Sequence, residues 1–241
     1  MALNKTYLEI VGKLGLNVKA DERSRDILDS MLSRRDWGML ENAIKGKEVV
    51  IFGCGPSLAE DLMKFKNLNL NATTIAVDGA AKAFMEQDLV PDIIVTDLDG
   101  DEESQVKFSE YGCITVVHAH GDNTSRQREV IPKLEGWVYG TTQVEPTEKI
   151  MNFGGFTDGD RAVYLAEHFK AGLIMLAGMD FGSEIGAYSG NKPDKERKLQ
   201  KLAIGKRLIE ELAAKSKTRI LNLTSNGEEI KGAKKVKWTS L

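Results

Sequence analysis

The sequence predicts an α/β protein of the Rossmann-like, doubly wound kind, with a mostly parallel sheet and an N-terminal helical cap. Three observations carry this. From Lys47 onward, short apolar runs of strand length alternate with amphipathic stretches of helix length. Several of those runs are apolar at successive positions, the pattern of strands covered on both faces. Six of the runs lead into glycine, small polar or acidic residues, as strands do when their carboxyl ends line one crevice. The expected division is a helical cap over residues 1–45 and a Rossmann-like domain over 46–241.

Taken in order, the cap comes first. Leu3, Tyr7, Leu8 and Val11 share one helical face, as do Ile27, Leu28, Met31, Leu32 and Leu40 further on. Asp21 is placed to cap the second of these helices, its carboxylate accepting amides of the first turn. The expected strands are 49–52, 74–77, 93–95, 114–117, 137–139, 173–177 and 219–223. Between them, amphipathic stretches near 57–68, 79–88, 102–110, 124–135, 158–169 and 192–215 read as helices. The last lies in a basic stretch, Asn191 to Arg207, with seven lysines or arginines.

Composition removes several classes. With 33 basic and 36 acidic residues the net charge is -3, without the basic excess that non-specific nucleic-acid binding uses. Cys54 and Cys113 are too few for a disulfide framework or a four-cysteine zinc site, and they fit a reducing cytoplasm. No apolar run approaches the ~20 residues of a membrane helix, and the start, MALNKTYLEI, lacks a signal-peptide core.

The chemistry-bearing residues follow the strands. Gly53-Cys54-Gly55-Pro56-Ser57-Leu58 turns from strand to helix; its glycines let backbone approach a phosphate, and Ser57 with the free amides beyond it can hold an anion. Leu58 replaces the third glycine of a dinucleotide fingerprint, and no Gly-Lys pair here precedes Ser or Thr as a P-loop requires. Asp97, Asp99 and Asp101 lie two apart, so an extended chain points all three carboxylates one way, and Asp78 ends the neighbouring run. That crowding calls for a cation, and Mg²⁺ is the natural one; the glycine and Phe108 positions exclude an EF-hand. His118 and His120, beside Asp122 and Asn123, are expected to hydrogen-bond nucleotide or substrate, with zinc ligation as the alternative. Phe153 or Phe156 can stack on a flat heterocycle, and Asp158 or Asp160 can bond ring nitrogens or cap the next helix. Thr141, Thr142 and Gln143 at a fifth strand end complete the expected acceptor contacts. Lys192, Lys195, Arg197 and Lys198 are expected to fold over a triphosphate as a flap, whereas Lys201 onward reads as a solvated helix face.

Together these residues resemble the archaeal 6-hydroxymethyl-7,8-dihydropterin pyrophosphokinases. The likeness rests on Gly53–Leu58, Asp78-Gly79-Ala80, Pro91–Asp101, His118–Asn123 and Asn152–Arg161, and spans roughly residues 50–182. The Asp-Gly-Ala element followed by the aspartate-rich turn is also similar to thiamine pyrophosphokinases. The Gly-x-Gly-Pro-Ser-Leu element looks like one in bacterial flagellin-modifying glycosyltransferases. The first resemblance implies diphosphate transfer from ATP to the hydroxymethyl group of the pterin, with AMP as co-product, Mg²⁺ dependence, a role in tetrahydromethanopterin or folate-type biosynthesis, and a homodimer. It places the metal on Asp78, Asp97, Asp99 and Asp101, and catalysis on Asp97 and Asp99, with Asp122 as candidate base. A thiamine acceptor, a nucleotide-sugar donor, or a nucleotide sensor without turnover are the rival readings.

Overall fold

The computed structural model describes residues 5–190 and 194–241; Leu3, Asn191 and Lys192 of the expectations above lie outside them. The described residues form a nine-stranded sheet in the order β6-β5-β4-β3-β2-β1-β7-β8-β9, with every strand pair parallel. The strands are β1 (Glu48–Phe52), β2 (Thr73–Val77), β3 (Ile93–Thr96), β4 (Ile114–Ala119), β5 (Val138–Thr142), β6 (Ile150–Met151), β7 (Leu173–Ala177), β8 (Arg219–Asn222) and β9 (Ala233–Lys235). All seven expected strands are present. The two added ones are short: two residues in β6 and three in β9 carry no period that a sequence can display.

Alternation along each strand sorts side chains to two covered faces. Val49 and Ile51 of β1 join one core with α3 (Gly38–Ile44), α8 (Asp158–His168) and α9 (Lys195–Ala213). Val50 and Phe52 join the other with α4 (Leu58–Leu68), α5 (Ala80–Glu86) and α6 (Glu102–Glu110). Burial on both sides is why these strands read as continuous apolar runs. Chain order runs outward from β1 to β6 in one direction, and β7 returns to the other side of β1. The reversal between β1 and β7 is the topological switch point, where the strand ends part to leave a crevice.

Three helices precede the sheet: α1 (Lys5–Leu14), α2 (Val18–Met31) and α3. Ile10 and Leu14 of α1 pack on Ile204 and Leu208 of α9. Leu28 of α2, fully buried, and Leu32 after it meet Val117, Ala119, Val138 and Ile150 of β4–β6. Full burial of one such leucine contributes about 1.5–3 kcal/mol. The cap of α2 is Asn17, which accepts from the Ala20 amide at 3.2 Å, and not Asp21. The helix starts a turn earlier than expected, so Asp21 lies inside it and turns inward. The stretch 124–135 is also shorter as an α-helix: α7 spans Thr124–Val130 and tightens to a 3₁₀ turn at Ile131–Lys133, where Pro132 offers no N–H.

Candidate active site

A cavity of about 420 Å³ opens at the carboxyl edge of the sheet, from the β1/β7 switch point across to the ends of β4 and β5. At its switch-point end lies the glycine turn. A Cβ on Gly55 would stand 2.0 Å from an Asp180 oxygen and 2.5 Å from the Gly178 carbonyl, so only glycine fits. The N-terminus of α4 does bind an anion, but a protein one. Asp180, after β7, accepts from the Ser57 amide at 3.2 Å and the Ser57 hydroxyl at 2.5 Å. Ser57 is buried and also receives the Asn226 amide. The expected phosphate contact through Ser57 is therefore replaced by an internal link between the two strands of the switch point. Gly53, Gly55 and Pro56 remain on the cavity wall.

The acidic centre lies beside this turn. Asp78 follows β2, Asp97 follows β3, and Asp158 opens α8; each offers an oxygen, all within 4.8 Å of one another. Asp78 has a left-handed backbone, φ 46°, and its carboxylate accepts from the Thr96 hydroxyl at 2.9 Å. Such a backbone is uncommon outside glycine, and strain of this kind gathers where a side chain must be aimed. Asp97 meets the His120 ring at 3.1 Å. Burial, then the charges of Asp97 and Asp99, push the Asp78 carboxyl up to about 8. Burial, then Asp97 and Asp78, push Asp158 well above the ordinary carboxylate range. Three acids that disfavour one another's ionisation form the donor set a hard divalent cation relieves.

This set differs from the expected one at two members. Leu98, also left-handed at φ 69°, breaks the extended run, so Asp97 and Asp99 do not point alike by simple alternation. Asp99 still lines the cavity at its exposed side. Asp101 does not: it caps α6, accepting the Ser104 amide at 3.0 Å, and faces Lys82 at 3.8 Å. Its place is taken by Asp158, while Asp160 does the capping that either acid was expected to do, accepting the Phe156 and Thr157 amides at 2.5 and 2.9 Å.

At the far end, His118 is 3% exposed and lines the cavity. Burial, then Arg161 and His120, hold it well below the usual imidazole range, so it is neutral. His120 and the exposed Asp122 also line the wall. Asn123 does not; its amide donates to the carbonyls of Asp97 (2.8 Å) and His118 (2.7 Å) and so sets the spacing of the two strand ends. Gln143 lines the cavity, but Thr141 and Thr142 are buried inside β5 and absent from its wall. Phe156 is on the wall, whereas Phe153 is buried among Trp37, His168 and Phe169, closed to any ligand. Of the basic stretch, Arg197 lines the mouth and donates to the Leu14 carbonyl at 3.3 Å. Lys195 is exposed and absent from the wall; Lys198, expected with it, and Lys201, expected in solvent, line the cavity from α9.

Four participants were not legible beforehand in these roles. Asp21 lines the cavity from α2, and Asp180 locks the glycine turn. Asp158 joins the acids, and Arg161 lies fully buried, giving its guanidinium to the carbonyls of Gly154 and Phe156 at 3.1 Å each. Arg161 follows Asp158 and Asp160 in the first turns of α8, and a cation among acids at a helix start was the available signal.

Residues 26–186 match the family model described as 6-hydroxymethylpterin diphosphokinase MptE-like. A relative from Methanothermobacter thermautotrophicus, named 6-hydroxymethyl-7,8-dihydropterin pyrophosphokinase, is 43% identical, with 87% of this chain and 89% of the relative covered. Relatives of the same name from Methanocaldococcus jannaschii and Pyrococcus furiosus are 40% and 37% identical, covering 89% and 90% of this chain and 96% of each relative. Among solved structures, the MAf glycosyltransferase from Magnetospirillum magneticum AMB-1 is similar at TM-score 0.52 and 18% identity, over 90% of this chain. The chain spans 39% of that protein's length, and the likeness is one of fold.

Proposed function

This chain belongs to the MptE-like family of 6-hydroxymethylpterin diphosphokinases, and from that premise we propose how its cavity carries out ATP-dependent diphosphate transfer to the hydroxymethyl group of a 7,8-dihydropterin. The carrying observation is the convergence of Asp78, Asp97 and Asp158 at the cavity floor. These carboxylates are the proposed holders of Mg²⁺, with Asp99 beside them. Bound there, the ion would offset negative charge on the phosphate oxygens of ATP.

The remaining work falls to the chain itself. The acceptor oxygen bonds to the β-phosphorus, the bond from that phosphorus to the oxygen shared with the α-phosphorus breaks, AMP leaves, and the hydroxyl proton is lost. Such transfers are accelerated mainly by alignment and by neutralising charge. Gly53, Gly55 and Pro56 form a close wall for the phosphate chain, and Lys198 and Lys201 face it from α9. Asp122, exposed at the rim, is the candidate for taking the hydroxyl proton. Diphosphorylated pterin would then feed tetrahydromethanopterin or folate-type biosynthesis. The two free thiols, Cys54 and Cys113, fit a cytoplasmic setting.

The test is AMP release by the purified protein. AMP should form from ATP only when Mg²⁺ and 6-hydroxymethyl-7,8-dihydropterin are both present, and thiamine should not replace the pterin. AMP release with thiamine, or none with the pterin, would overturn the reading.

A further inference from the structure

The cavity has two unlike ends. At the switch point, Gly53, Cys54 and Gly55 line the cavity with Asp78 and Asp158, and Lys198 lines it from α9. That end suits a phosphate chain. At the other end, the lining from α2, β4 and β5 and the loops after them brings Asp21, His118, Gly121 and Gln143, with no lysine or arginine. Arg161 lies beneath, fully buried, with two of its three guanidinium nitrogens given to backbone carbonyls. With one carboxylate and no cluster of acids to hold a cation, that end disfavours a triphosphate and accepts a neutral ring with N–H donors. Asp97 stands between the two, paired with His120 and within reach of Asp158. In-line transfer at the acids requires leaving group and acceptor to approach from opposite sides. If the nucleotide fills the switch-point end, the acceptor ring fills this one.

A second observation singles out a residue there. His118 is almost wholly buried, and neither ring nitrogen makes a hydrogen bond of ordinary geometry within the described residues. The Gln143 side chain is near enough to bond the ring, while its amide nitrogen goes to Asp21 at 2.8 Å. Asp21 is itself held by the Tyr7 hydroxyl and by the Gly121 amide at 2.7 Å. Leaving a buried polar atom unpaired costs about 1–3 kcal/mol, and a ligand that pairs it recovers that cost. A neutral imidazole offers one donor and one acceptor, which matches the mixed amide, amino and ring-nitrogen edge of a pterin and not a phosphate.

We propose that the cavity end between β4, β5 and α2 is the pterin-ring subsite, and that His118 reads the ring edge with its imidazole nitrogens while Tyr7, Asp21 and Gln143 hold the wall in place. This rests on the acceptor being a pterin. The experiment is fluorescence titration of the full-length protein with 6-hydroxymethylpterin and, separately, with adenylyl imidodiphosphate and Mg²⁺, for wild type and His118→Leu. Leucine has a similar volume and removes two poorly paired buried polar atoms, so Tm should be unchanged or higher. The pterin Kd should rise by about tenfold or more, the loss of roughly 1.4 kcal/mol, while the nucleotide Kd stays within about twofold. The KM for the pterin should rise in step. Should His118→Leu fail to fold, Gln143→Met is read in the same titrations, with the same expectation. An unchanged pterin Kd, or a rise in the nucleotide Kd instead, overturns the subsite assignment alone. A wild-type protein that binds no hydroxymethylpterin overturns the acceptor identity, and the subsite with it.

Discussion

Asp97 and Asp101 lie four residues apart on one acidic turn, and the fold gives them opposite tasks. The first faces Asp78 and Asp158 across the cavity floor; the second spends its carboxylate on the first turn of α6. Aspartate spacing alone could not separate them, because the separation is made by the left-handed backbone of Leu98, whose side chain is buried with Val117, Ala119 and Ile131. Asp97→Asn should abolish AMP formation while circular dichroism and Tm show an intact fold, since an amide keeps the size and the contact with His120. Asp101→Ala should keep the chemistry but lower stability by about 1 kcal/mol through loss of the helix cap, read by chemical denaturation. Equal loss of turnover in both variants would contradict the division of roles. Asp158 was legible as a site residue from its glycine-rich, acidic surroundings, but its place among the acids depends on where α8 begins relative to β2 and β3. That is a long-range fact that no local pattern contains.

The strand–turn–helix unit at β1 and α4 was readable as an element, and an anion was expected at its turn. What occupies it was not, because Asp180 comes from 123 residues away in sequence. Gly55→Ala would drive a methyl group into the Asp180 carboxylate and the Gly178 carbonyl, neither of which can retreat without parting β1 from β7. A loss of about 1–3 kcal/mol is expected in denaturant titration, together with weaker nucleotide binding. Asp61 of α4 ties the same region from the other side. It accepts the Gly178 amide at 2.8 Å, the Ser225 amide at 3.0 Å and the Trp238 indole at 3.1 Å. Asp61→Ala leaves these buried donors unpaired and should destabilise the fold by about 3 kcal/mol or more, measured by the same titration. A change under about 0.5 kcal/mol, the range of surface substitutions, would show that the tie carries little. Lys201 was expected in solvent because an exposed-looking basic helix gives no sign of which turn meets the cavity.

Across the whole molecule, the parallel order and the return of β7 beside β1 are what bring residues from positions 15 to 202 to one edge. The alternation of apolar runs and amphipathic stretches made the α/β class and seven strands readable. The two short edge strands, and the packing of α2 over β4–β6, depend on tertiary contact and were not. The fold is shared in outline with a glycosyltransferase, so the sheet alone does not decide the chemistry; that role is proposed for the acids at its edge. Their role is tested most directly by Mn²⁺ binding, followed by electron paramagnetic resonance, in wild-type protein and in Asp158→Asn. A site in the wild type that is lost, or weakened by about tenfold or more, in the folded variant is the expected result. Equal Mn²⁺ affinity in the two proteins would contradict a metal held by Asp78, Asp97 and Asp158.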